Sequence, residues 1–63
     1  MKLKNLIEVL PWGVNISVHS YTDGELVDTM ALKYARPMLV NHMYNEVYAV
    51  EPCDFNHLTI EIE

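Results

Sequence analysis

The sequence predicts an α+β domain of two layers, in the order helix–β–β–short helix–β–β, with a mostly antiparallel four-stranded sheet. Three observations predict it. Leu3, Leu6, Ile7 and Leu10 recur at the i, i+3, i+4, i+7 spacing of one helical face. Val14, Ile16 and Val18, and later Leu58, Ile60 and Ile62, alternate with polar residues as half-buried strands do. Asp23-Gly24 between two such stretches is a strong hairpin signal. At 63 residues the chain is a single domain, 1–63.

The elements follow in order. Lys2, Lys4, Asn5 and Glu8 take the polar side of the first helix, which Pro11 ends at about Leu10. Under three turns long, this helix must dock its apolar stripe on something. Gly13 supplies the bend into a strand that reaches about Tyr21, with Asn15, Ser17 and His19 on its polar side. Thr22-Asp23-Gly24-Glu25 forms a turn, and a second strand returns through Glu25–Thr29.

Residues 30–43 admit two readings. Met30–Ala35 are helix formers, and Pro37 limits a first helix to about six residues, giving a broken helix. Alternatively the second strand continues to Tyr34. Glu46–Glu51 read as a third strand, Pro52–Asn56 as a loop, and His57–Glu63 as the closing strand. One sheet face then carries polar residues, among them Ser17, His19, Tyr21, Thr59 and Glu61, and is free to meet water or a partner.

Charge narrows the function classes. Residues 1–36 hold four bases and four acids, whereas residues 37–63 hold five acids and no lysine or arginine, so the net charge of −5 lies in the last 27 residues. Such a surface repels phosphate, which argues against direct binding to nucleic acid or anionic lipid and for a basic protein partner. Acidic residues also simply keep a small domain soluble. No stretch reaches the roughly 18 apolar residues of a membrane span. The opening lysines precede an apolar run that Glu8 breaks, unlike a signal peptide, and the lone Cys53 suits a reducing compartment. The expected location is cytoplasmic.

Chemistry has few footholds. Cys53 and His57, with Asp54 and His42, lack the paired spacings of a zinc site. Cys53 lies among carboxylates, which disfavour the thiolate that nucleophilic catalysis needs. Gly13 and Gly24 are the only glycines, too few for a phosphate-cradling loop. The expectation is a protein with no enzymatic activity, metal or cofactor. Trp12, at the helix-to-strand corner, reads as a lid on the core or as a ligand platform. Tyr34, Tyr44 and Tyr48, near Met30, Met38 and Met43, read as core or as an adaptable binding surface. The candidate partner-binding residues are Glu46, Glu61 and Glu63, together with Tyr44, Tyr48 and His57.

A 60-residue domain buries only about 60% of its unfolded surface. With one cysteine, no internal disulfide compensates. Short sheets also leave open edges, and neither Lys nor Pro guards the closing strand. A homodimer is therefore expected, formed through the closing strand or the Met30–Tyr48 region.

The layout resembles that of very short phage and prophage proteins of Firmicutes, a group that includes anti-CRISPR-like and other anti-defence inhibitors. The matching pieces are Lys4-Asn5-Leu6-Ile7-Glu8, Ile16-Ser17-Val18, Asp23-Gly24-Glu25, Glu46-Val47-Tyr48-Ala49-Val50 and Leu58-Thr59-Ile60-Glu61-Ile62. Residues 30–43 match least. The resemblance implies a role in binding and transfers no functional residue. It points to inhibition of a host protein, such as a basic defence nuclease; the alternative is a self-associating assembly accessory.

Overall fold

The computed structural model describes residues 1–63. Helix α1 (Leu3–Val9) leads into strands β1 (Asn15–Ser20) and β2 (Gly24–Ala31). A short helix α2 (Leu32–Ala35) runs directly into a 3-10 segment (Arg36–His42), and β3 (Val47–Asp54) and β4 (His57–Ile62) complete the chain. The helical elements form one layer and the sheet the other, the α+β architecture that the sequence predicts.

The sheet order is β2-β1-β4-β3. Each outer pair is an antiparallel hairpin, and β1 and β4 run parallel at the centre, in unbroken register from Asn15↔His57 to Ser20↔Ile62. A parallel pair needs a crossover, which α2 and the 3-10 segment help provide. This order corrects the expectation that the closing strand is an edge: β4 is flanked on both sides. The edges are β2 and β3, and β3 carries Pro52, a residue that edge strands tolerate because its missing N–H can face solvent.

The core lies between the layers. Leu3 and Ile7 come from α1, Ile16 and Val18 from β1, Val27 from β2, and Ile60 and Ile62 from β4. Leu32, Ala35 and Leu39 close it from the α2 and 3-10 side, and Leu6, Leu10 and Leu58 pack at its margin. The periodicities in α1, β1 and β4 thus mark the buried faces. Helix α1 has no side-chain cap; instead Leu3 N–H donates to Asn45 O at 2.9 Å and Lys4 N–H to Met43 O at 2.8 Å. Backbone carbonyls thereby satisfy two donors that a helix start leaves open. No helix is long and apolar enough to cross a membrane.

Three boundaries differ from expectation. The first hairpin turns through Tyr21–Asp23, and Gly24 begins β2 at φ 82°, a left-handed value that glycine adopts without steric cost. Ser20 Oγ accepts Asp23 N–H at 3.1 Å and fastens that turn. Strand β2 extends past Thr29 to Ala31 and stops short of Tyr34. Residues 32–42 form the broken helix of the first of the two readings, with Pro37 at the start of the 3-10 segment, where a missing N–H removes no helical bond. Finally, β3 runs through Pro52 to Asp54, so the expected five-residue loop shrinks to Phe55-Asn56.

Expectations for the large side chains need a second correction. Trp12 is 54% exposed and is no core lid. Tyr34, Met38, Tyr44 and Tyr48 are exposed, whereas Met30 and Met43 are half-buried against the core. The aliphatic residues of two short layers already fill the interior, which leaves the aromatics outside.

Candidate functional site

The uncovered face of the sheet is built from the strand positions that alternate with the core. Pairing aligns Glu25 with His19, and His19 with Glu61; Ser17 aligns with Thr59, and Thr59 with Glu51. At the centre Ser17 is buried, and its Oγ lies 2.9 Å from His57 Nε2 and 3.1 Å from Thr29 Oγ1. The same oxygen accepts Thr29 N–H at 3.2 Å. A serine hydroxyl has one proton and two lone pairs, so these three contacts use its full capacity.

That cluster has a structural task. Between Ile16↔Met30 and Val18↔Val27, β2 has two residues, Asp28 and Thr29, opposite the single Ser17. This is a β-bulge. Thr29 sits there at φ 44°, a conformation that strains a β-branched residue. Ser17 pins it by gripping both its N–H and its hydroxyl. A serine 2.9 Å from an imidazole has the spacing of a nucleophile–base pair, but here the hydroxyl is occupied in holding the bulge. Cys53 Sγ lies 2.9 Å from Thr59 Oγ1 on the same face. No three His, Cys, Asp or Glu side chains converge as a metal site.

Charge divides between the layers. The four strands contain Glu25, Asp28, Glu51, Asp54 and Glu61 and not one lysine or arginine. All four Lys and Arg residues belong to the helical layer: Lys2 and Lys4 at the start of α1, Lys33 in α2, and Arg36 at the head of the 3-10 segment. Two of them meet acids. Lys2 Nζ lies 2.8 Å from Glu46, which also meets the terminal amine at 3.1 Å. Lys4 Nζ lies 2.9 Å from Glu8, one helical turn on. The Lys2 hydrogen bond, aided by the terminal amine, holds the Glu46 carboxyl below the ordinary glutamate value. The Lys4 hydrogen bond does the same for Glu8, and Glu8 raises Lys4 in return.

The remaining two cations have no carboxylate partner. Arg36 lies over the Trp12 ring at 5.5 Å, and Lys33 over Tyr34 at 5.0 Å, both within cation–π range. With Lys4 they line an open groove of about 540 Å³, whose apolar walls include Trp12, Val40, Met43 and Tyr44. That volume falls within the range of ligand pockets. The groove therefore gathers three of the four basic side chains of an acidic protein beside exposed aromatic surface.

The six residues singled out from sequence fall in three places. His57 and Glu61 share the open sheet face. Glu46 and Glu63 meet where β3 begins and β4 ends, Glu63 N–H donating to Glu46 O at 3.0 Å, with Tyr48 close by on β3. Tyr44 lines the groove. Glu46 already faces two cations of its own chain, so its charge is largely compensated. Trp12, Lys33 and Arg36 were not among the six, although Lys33 and Arg36 stand three apart, the spacing that shares a helical face. No family model matches the chain, and no curated protein or solved structure matches it either.

Proposed function

We propose that the protein acts by binding: a small acidic protein of phage type that inhibits a host protein by laying the open face of its sheet on a basic surface. A nucleic-acid enzyme such as a defence nuclease carries such a surface, and an anti-CRISPR or related anti-defence role follows. The observation that supports this reading is the segregation of charge by layer: five acids and no lysine or arginine in the strands. In this reading the protein supplies no catalysis, needs no cofactor and meets its partner in the host cytoplasm. Glu25, Glu51 and Glu61 carry the contact, steering a basic partner and suppressing acidic ones.

The test is inhibition of nuclease activity in host lysate by purified protein, at about 50 mM and about 500 mM salt, where screening differs several-fold. The native chain inhibits at low salt and loses potency at high salt. Replacing Glu25, Glu51 and Glu61 together with glutamine weakens inhibition by about tenfold or more while the thermal melt is kept. Absence of inhibition, or equal potency of the variant, overturns the reading. A second reading, self-association, is favoured by Phe55, whose ring is wholly exposed at the β3–β4 turn.

A further inference from the structure

We propose that the basic groove of the helical layer is the seat for the β3–β4 hairpin tip of a second copy, giving a two-fold dimer in which each Phe55 enters the other's groove. Phe55 is 104% exposed, more open than any other large apolar side chain of the chain. It stands between Asp54 and Asn56, and Glu51 lies on the same hairpin arm. The tip therefore offers one aromatic ring beside Asp54, with Glu51 further along the arm and no lysine or arginine. The groove offers the complement: Lys33 and Arg36 without carboxylate partners, and an apolar wall of Trp12, Met43 and Tyr44. Acid on one side and base on the other fix orientation, and a buried aromatic ring supplies the anchor.

Tip and groove also lie near each other on one molecule. Asn56 Nδ2 donates to Gly13 O at 3.0 Å, and Asn15 N–H donates to Asn56 O at 3.0 Å. Gly13 follows Trp12, which lines the groove. These bonds fix the tip beside its own groove with the Phe55 ring outside it. Two copies that meet at this end bring each tip to the other's groove in one contact. That is the reciprocal geometry of a two-fold interface, and it closes without leaving a free site to grow a filament.

Sedimentation equilibrium of the native chain from micromolar to millimolar concentration tests the proposal, with Trp12 fluorescence as a second readout. The mass rises from 7.3 kDa toward twice that value, and Trp12 emission shifts with it. Phe55→Ser and Arg36→Glu each weaken association by about tenfold or more, as loss of an interface anchor does. Both sites are on the surface, so melting is kept. Combining Arg36→Glu with Asp54→Lys exchanges one charge on each side and restores part of the lost dimerisation. A native mass that stays at 7.3 kDa overturns the proposal. So does a dimer that Phe55→Ser leaves intact, or a failure of the charge exchange to rescue. A chain that stays monomeric yet shifts Trp12 emission with an acidic, aromatic peptide also overturns it, and assigns the groove to a foreign partner.

Discussion

The helical layer and the sheet enclose one core but face the solvent differently. The helical layer holds every Lys and Arg, compensates two of them with Glu46 and Glu8, and keeps two free beside exposed aromatics. The sheet holds acids and hydroxyls, and its central serine serves the backbone. Net charge alone hides this arrangement. A net charge of −5 does not show that the two surfaces differ in sign. The same segregation lets one small domain present an acidic face outward and a basic groove behind it.

The largest expected effect tests whether the two layers share one core. Ile60 on β4 is completely buried against the helical side, so Ile60→Asp places an unpaired charge where water cannot reach. A domain with only about 5–15 kcal/mol of stability does not survive this, and the cooperative thermal transition is lost. A variant that melts like the native chain would mean that the layers are held by something other than the interior.

A smaller effect probes the sheet alone. Ser17→Ala leaves the Thr29 N–H without its partner while Thr29 stays at φ 44°. The expected cost is about 1–3 kcal/mol, read as a lower urea midpoint at unchanged slope. An unchanged midpoint would show that the bulge is held by the β1–β2 ladder and not by the hydroxyl.

The smallest effect concerns the Lys2–Glu46 pair, which ties the start of α1 to the start of β3. Because folding lowers the Glu46 pKa, its contribution is present above the unfolded value and is lost as pH falls through the folded one. Urea midpoints of the native chain and Glu46→Gln therefore differ at neutral pH and converge on acidification below about 4.5, the ordinary glutamate value. A gap that stays constant however far the pH is lowered would assign the pair's effect to packing; exposed pairs contribute little in any case.

Much of the fold is legible in the sequence, because burial imposes a period. The stripe of α1 and the alternation of β1 and β4 lead to Leu3, Ile7, Ile16, Val18, Ile60 and Ile62 in the core. The order of strands was not legible, since an alternating strand reads alike at the edge and at the centre. That is why β4 was expected at an edge. Proline reads as a breaker, so the sequence predicts that β3 stops before Pro52, whereas an edge strand accommodates it. The candidate surfaces were legible in part. Glu61 and His57 follow from alternation, but the groove joins Lys4, Trp12 and Arg36 from separate segments, and no local pattern unites them.

The parallel seam of β1 and β4 bears on how the chain reaches this shape. Each hairpin closes locally, an event of about 1–10 μs. The seam joins residues far apart in sequence, such as Ser17 and His57, 40 positions distant, and its loop-closure entropy must be overcome before its contacts form. Until then each hairpin shows an unpaired inner edge, β1 on one and β4 on the other. Those edges are identical in every copy, so the β1 of one chain competes for the β4 of another once the chain concentration during refolding nears the effective concentration, on the order of millimolar, of its own tethered β4. Exchange of whole hairpins between chains is thus the misassembly route that this topology carries, and dilution is the condition that suppresses it.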